Sequence, residues 1–352
     1  MTTATAAANA YDLASWVKLR GPNFKADMRI AQLLNQCNEV VQDIVWAPGN
    51  QPMSHLITQQ TGLPPAYYRL LNQAVSPGRG QTAQIQESMG IAEAWQEHDV
   101  DLVNLMGDQG AFLYQMSVPQ MESLTQQFAK TFFYGDTTQT PGSFLGMSTR
   151  YSTISARAAA IAVNCISAGG SNNANTSIWL ITHGLYALHG IFPQGSSSGI
   201  THRVWKDAVV QGSDGIGGSR LEAIQQKWQW KAGLALWDWR WCVRICNIDI
   251  NNLIQENNAA DLVALMLDAQ YQIPSIYSPA STTGNPETDV AIPGRRVWYT
   301  NRQVRRMLHK QCLNKSAGTV EYDMVDGRKI MHLFGTEIRN CDQIVSNENN
   351  VT

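Results

Sequence analysis

Charge is scarce in this 352-residue chain: Asp, Glu, Lys and Arg together make up 15% of it, against roughly a quarter in an ordinary soluble protein. With 26 basic and 28 acidic residues the formal net charge is −2, which excludes a generic basic nucleic-acid binder and confines any phosphate contact to a local patch. The opening MTTATAAANA lacks the basic start and apolar core of a secretory signal. No apolar run approaches the roughly 20 residues of a membrane span, so no membrane partner is expected. The six cysteines, at 37, 165, 242, 246, 312 and 341, are scattered; reduced thiols in a cytosol are the expectation. The Cys242/Cys246 pair has no clustered His, and the seven His (55, 98, 183, 189, 202, 309, 332) show no ligand spacing. Neither a metal nor a cofactor is therefore expected.

Polarity is carried by amides instead, 51 Asn plus Gln against 28 acids. Such a surface costs little to desolvate and suits extensive protein contacts. Tryptophan is the other abundance. Five of the 11 Trp lie between Trp228 and Trp241, within KWQWKAGLALWDWRWCVRICNID (Lys227–Asp249). Trp237, Trp239, Trp241, Val243 and Ile245 occupy every second position, the pattern of a half-buried β-strand in a central sheet. Gly233 would allow a bend or bulge. A core strand and an aromatic ligand platform both remain open, with charged alternation favouring the strand.

Taken in order, residues 1–10 read as a mobile arm, Asp12 caps a short helix, and Ile30, Leu33, Leu34, Cys37, Val40, Val41 and Ile44 give an amphipathic helix over about 26–44. From 50 to 104 no apolar face is long enough for a core. This stretch reads as an extended hairpin with arms of about 15–20 residues, reaching on the order of 50–65 Å; a lone ribbon is marginal in water and must lie on something. Ser117 with Gln120 resembles a capping box, placing a helix over 117–134 with Gly135 as its stop. Strands are expected at 144–151, 177–182 and 295–299, helices at 154–168, 259–271 and 301–313, a long loop at 274–294, and a hairpin over 319–334 turning at Asp326-Gly327. The count of elements gives an α+β fold.

Two enzyme-like patterns fail on context. Gly195-Ser196-Ser197-Ser198-Gly199 fits a nucleophile elbow, but no helical period follows it. Gly215-x-Gly217-Gly218 lacks the third glycine and helix of a dinucleotide site. No catalytic residue and no enzyme activity is expected.

Several segments together resemble one family. LLNQCNEVVQDIVWAPGN (Leu33–Asn50), TGLPPAYYRLLNQAV (Thr61–Val75), TAQIQE (Thr82–Glu87), EAW (Glu93–Trp95), FFYGD (Phe132–Asp136), TSIWLITHG (Thr176–Gly184), HGIFPQGS (His189–Ser196) and the Trp segment are similar, in order, to major capsid proteins of tailed bacteriophages with the Hong Kong 97-type fold. Within them the likeness is to the short-tailed group that includes epsilon 15 and the Bordetella phage. The resemblance implies an N-terminal arm and first helices in 1–49, an extended loop in 50–104, a peripheral domain with a long spine helix in 105–170, an axial domain in 171–315, and a return to the peripheral domain in 316–352. It implies a protein that self-assembles as hexamers and pentamers into the icosahedral shell around the double-stranded DNA genome of a tailed phage. Its partners would be a separate scaffolding protein, a portal protein, a cement protein where one exists, and the packaged DNA; its locations would be the virion capsid and, during assembly, the host cytoplasm. Some members weld their shells through a Lys in the extended loop, but residues 47–100 contain none, so that cross-link is not expected. The reading weighed against the shell is a Trp-rich carbohydrate-binding virion or surface protein.

Charge is also segregated. Between Gly80 and Ala129 there is no Lys or Arg, while Glu87, Glu93, Glu97, Asp99, Asp101, Asp108 and Glu122 are acidic. From Arg295 to Lys315 there is no acid, while Arg295, Arg296, Arg302, Arg305, Arg306, Lys310 and Lys315 are basic. The preferred expectation is an inter-subunit contact between Glu93, Glu97 and Asp101 of one copy and Arg302, Arg305 and Arg306 of another. A DNA-facing basic helix and two merely solvated faces are the alternatives.

Overall fold

The computed structural model describes residues 36–105, 108–154, 160–211, 220–274, 294–314, 320–325 and 328–352. The expected arm, the helix at Asp12, most of the helix at 26–44, nearly all of the loop at 274–294 and the turn at Asp326-Gly327 lie outside the described residues. In chain order the elements are helix α1 (Val40–Asp43), strands β1 (Trp46–Pro48), β2 (Ser54–Gly62) and β3 (Gln81–Asp99), and helices α2 (Val100–Asn104), α3 (Gln109–Tyr134) and α4 (Met147–Arg150). Strands β4 (Cys165–Ser167), β5 (Asn175–His183), β6 (Leu188–Phe192), β7 (Thr201–Gln211), β8 (Arg220–Leu236) and β9 (Cys242–Asp249) follow. The chain closes with helices α5 (Ile250–Gln255) and α6 (Leu262–Gln272), β10 (Arg295–Thr300), α7 (Arg302–Asn314), β11 (Val320–Val325), β12 (Arg328–Leu333) and β13 (Thr336–Asn340). The mixture is α+β.

Two compact units divide these elements. Of the described residues, the larger holds those in 37–90, 129–198 and 232–352; the smaller holds Gln36 and those in 91–128 and 199–231.

The larger unit is built on β5. It pairs antiparallel with β9 on one side and with β10 on the other, and β10 continues through parallel β13 to the antiparallel β12 and β11. Every residue of β5 is buried, because both faces are covered. Ile178 and Leu180 point into a core with Val243 and Ile245 of β9, Leu262 and Met266 of α6, and Val304 and Leu308 of α7. Trp179 points the other way, its ring centroid 5.9 Å from Phe133 at the end of α3 and 6.1 Å from Tyr151. A strand buried on both faces reads as a continuous apolar run, and SIWLI in β5 is one. Asp249 caps α5 by accepting from the Asn251 and Asn252 amides, and Asp261 caps α6 through Ala264. Gly135 ends α3 as expected. A Cβ there would lie 2.3 Å from the Phe144 carbonyl oxygen and 2.6 Å from that of Thr131.

The smaller unit has the C-terminal half of β3, α2, most of α3 as far as Phe128, and the β7–β8 hairpin, whose register runs from Thr201↔Gln229 to Gln211↔Arg220. Its core is small: Val103, Phe112, Met116 and Ile224. Aromatic stacking extends it, with Phe128 on Trp230 at 4.4 Å, His202 on Trp228 at 4.8 Å and Trp95 on Trp205 at 5.7 Å.

Several expectations change. The Trp segment is two strands, β8 and β9, separated by a 3-10 turn at Trp239–Trp241 where the Asp238 carboxylate accepts from the Arg240 amide. Gly233 lies inside β8 at a close approach, not a bend: a Cβ would meet the Ser88 carbonyl oxygen at 2.7 Å. The spine helix starts at Gln109, eight residues before the expected capping box, and Pro119 lies within it. Ser117 bonds the Tyr114 carbonyl at 2.5 Å and caps nothing. The strand expected at 144–151 is the short α4, since the chain turns at Gly146. The helix expected at 154–168 is a 3-10 turn (Ala160–Asn164) followed by β4. All six cysteines are free thiols, five of them buried and Cys37 half-buried. Among the described residues, no helix is long and apolar enough to cross a membrane.

Candidate assembly surfaces

The hairpin is firmly held at its base and bare at its tip. β2 and β3 pair from Ser54↔Ser88 to Gly62↔Gln81. The nine-residue β2 spans about 30 Å at ~3.3 Å per residue, shorter than the expected arm, while β3 with its 19 residues is within the expected 15–20. At the base, Ile57 and Met89 pack with Ile191 and Ala235, and the Gln59 amide donates to the Trp237 carbonyl at 2.7 Å. Glu87 is buried against Arg150 in a two-pronged pair, Nη2 to Oε2 at 2.7 Å and Nη1 to Oε1 beside it; Nη2 also reaches the Leu145 carbonyl at 3.2 Å. Beyond the paired part, residues 63–80 expose Leu63, Tyr67, Tyr68, Leu70 and Leu71, with Tyr68 fully bare.

The three arginines of the sequence reading come together. Arg302, Arg305, Arg306 and His309 on α7 line a cleft of about 580 Å³ with Cys37, Glu39, Met331 and Asn340. Val304, Met307, Leu308 and Cys312 form the buried stripe of α7; the arginines follow from the same periodicity on its outer face. Arg302 reaches Asp342 at 2.6 Å, which also accepts from the Cys37 amide and from Asn340 Nδ2, each at 2.9 Å. Arg305 and Arg306 have no ion-pair partner among the described residues.

The acidic set does not form a free face. Glu93 pairs with Lys227 at 2.7 Å and accepts from Trp95 at 3.1 Å and from Gln229; its carboxyl is lowered, chiefly by Lys227. Glu97 accepts from Gln225 at 2.8 Å. Asp101 sits in the first turn of α2, where Asp99 caps its amide at 2.9 Å.

A second buried pair fastens the C-terminal segment to β9. Arg244, 4% exposed, gives Nη2 to Glu348 Oε2 at 2.8 Å, Nη1 to the Tyr151 carbonyl at 2.7 Å and Nε to Ser177 at 3.1 Å. Tyr134 and Ser177 both donate to Glu348, and burial holds the Tyr134 phenol well above its usual range. Val351 and Asn247 exchange hydrogen bonds at 2.8 and 2.9 Å.

Over residues 22–352 the chain matches the family described as major capsid protein GP7. It belongs to that family. Its fold matches the near-atomic structure of bacteriophage epsilon15 with a TM-score of 0.71 at 23% identity, covering 100% of this chain and 99% of that one. The bacteriophage JBD30 capsid aligns at a TM-score of 0.46 and 7% identity, over 92% and 99% of the two chains. No curated protein matches. The Hong Kong 97-type reading of the sequence stands, and this is a capsid-shell protein of the virion. The carbohydrate-platform alternative falls, since Trp228, Trp230 and Trp241 are 2%, 6% and 4% exposed and serve as core.

This capsid protein also buries histidines at its seams. His55 of β2 meets His189 of β6 edge to face, centroids 5.7 Å apart, and His183 Nε2 lies 2.8 Å from the Tyr299 hydroxyl. That hydroxyl gives its one proton to Asp43 at 2.7 Å, so His183 Nε2 is the donor to it. Burial pushes His183 down to about 3, and His189 and His98 down to about 4. Asp43, beside Arg295 at 3.0 Å, is raised by its own burial.

Proposed function

We propose that this capsid protein forms an icosahedral shell of hexamers and pentamers around double-stranded DNA, assembling in the host cytoplasm on a separate scaffolding protein. A portal protein completes one vertex, and a cement protein is a partner this reading accommodates. The observation that carries it is the hairpin: a base welded by Glu87 and Arg150 and a tip with bare Tyr68, Leu70 and Leu71. An apolar tip of this kind is stable in water only against another surface, and a closed shell supplies one in every subunit. Purified chain, alone and with its scaffold, tests this by sedimentation and negative-stain microscopy; a chain that stays monomeric with scaffold at every concentration would end the proposal.

The α7 cleft is the proposed acceptor for acid from a neighbouring copy, Glu93, Glu97 and Asp101 being the candidates. Arg305 and Arg306 support it, having no ion-pair partner among the described residues; Lys227 opposes it by already neutralising Glu93. Reversing Arg302, Arg305 and Arg306 to Glu should block assembly, with partial rescue on reversing Glu93, Glu97 and Asp101 to Lys. Absence of rescue with both variants folded would leave the DNA-facing reading, whose mark is a salt-sensitive affinity for duplex DNA, or two merely solvated faces.

A further inference from the structure

We propose that Tyr68 at the hairpin tip of one copy seats in a pocket beside the spine helix of another copy, its phenol bonded to the Gln226 amide. Leu113 and Met121 of α3, Ile200, and His202 and Trp228 of the β7–β8 hairpin enclose a cavity of about 400 Å³. Its walls are mostly apolar or aromatic, with Ser117 on the helix side and His202 held flat on Trp228 at 4.8 Å and 9°. Gln226, 3% exposed, also lines the cavity, and its side-chain oxygen has no hydrogen-bond partner among the described residues. A buried amide left unpaired is costly, so the pocket is finished by an occupant that brings a hydrogen bond with it.

Tyr68 has the matching chemistry. It is fully exposed, so none of the described residues covers it, and nearby Leu71 is 92% exposed. A phenol offers a flat apolar body for the Trp228 wall and a hydroxyl at its end. That hydroxyl donates and accepts, so it satisfies the Gln226 amide whichever way the amide is turned. Charge agrees on the helix side: residues 63–80 carry Arg69 and Arg79 and no acid, and the pocket's helix lies in the stretch from Gly80 to Ala129 that has no Lys or Arg and includes Asp108 and Glu122, while the β7–β8 wall brings Arg203 and Lys227, the latter paired with Glu93. The aromatic anchor in the pocket supplies the hold.

The inference rests on the shell reading above, and the experiment separates the two. A photoreactive benzoylphenylalanine replaces Tyr68 in the full-length chain, and shells are assembled from an equal mixture of heavy-isotope and natural copies before irradiation. The expected product is a cross-link between heavy and light copies joining position 68 to residues 113–121 or 200–202. Links from 68 that fall elsewhere, or within one copy, overturn this pairing while leaving the shell intact; wild-type chain that makes no shells under the same conditions overturns the shell reading instead. If the position-68 variant does not assemble, the photoreactive residue at the pocket rim, replacing the 70%-exposed Tyr114, must link to residues 63–71 of another copy, and links only to other segments refute the pairing. Tyr68→Ala should raise the concentration needed for assembly about tenfold, as for an interface anchor, while Tyr68→Phe keeps most of the wild-type behaviour. An unchanged threshold in Tyr68→Ala overturns the proposal.

Discussion

β5 and the hairpin tip are the two extremes of this protein. In β5 the run Ile178–Ile181 is wholly buried, with helices over one face and Phe133 and Tyr151 over the other. At the tip Tyr68 and Leu71 are almost wholly uncovered, and Tyr67 and Leu70 are more than half so. Hydrophobicity alone therefore does not distinguish core from contact surface; what distinguishes them is whether the same chain brings a cover. β5 is complete within one subunit, and in the proposed shell the tip is completed by another.

The contrast can be broken at its strongest point by removing the tip. Replacing residues 63–79 with a two-residue Asn-Gly turn, which suits a tight hairpin, should abolish shells while the thermal midpoint of the unassembled chain stays within a few degrees of wild type. Closed particles from that variant, seen by negative stain, would mean the tip is ordinary surface. A smaller effect comes from the completed side. Glu348→Ala leaves Arg244 buried without its partner, and losing one member of such a pair costs about 3–5 kcal/mol; urea unfolding of the unassembled chain measures it. A loss under 1 kcal/mol would mean the C-terminal clasp is dispensable.

Acid should act on the same side, more gently. His98, His183 and His189 are neutral in the fold, held down to about 4, 3 and 4 by burial, while in the unfolded chain they take up protons near 6.5. The unfolded state thus binds more protons as pH falls, so stability present above pH 6.5 is lost progressively toward pH 4. Melting midpoints between pH 7 and 4.5 should fall, and His183→Phe or His189→Gln should flatten the slope; a flat wild-type profile would refute the assignment. The smallest effect concerns surface charge. Exposed pairs such as Arg302 with Asp342 contribute about 0–1 kcal/mol each, so added salt should slow assembly several-fold without shifting the unfolding midpoint. Light-scattering rates that rise with salt would contradict the steering role.

The same division explains what could be read from the sequence. SIWLI in β5, the stripe Val304, Met307, Leu308 of α7 and the stop at Gly135 are local signals, and each found its element. Arg244 and Glu87 were misleading because their partners are far along the chain: Glu348 lies 104 residues and Arg150 63 residues away. Alternation through Trp237–Ile245 concealed the 3-10 turn, although Asp238 two residues before Arg240 was a local turn signal. The arginines of the cleft were legible as the outer face of a helix; Cys37, Glu39 and Asn340, which complete it, were not. The pocket holding Gln226 was invisible, since a buried amide without a partner has no signature in the text of a chain.

The buried thiols carry a practical consequence for labelling chemistry. Alkylating reagents act on thiolate, and burial pushes Cys242, Cys246 and Cys341 up to about 12 and Cys165 up to about 11; Cys312 is buried and Cys37 is raised as well. The native protein is close to a silent background for maleimide dyes. Ala66→Cys, at an exposed tip position, would accept a fluorophore selectively at neutral pH with all six native sulfurs in place, and its change in emission would time the moment at which each tip is covered.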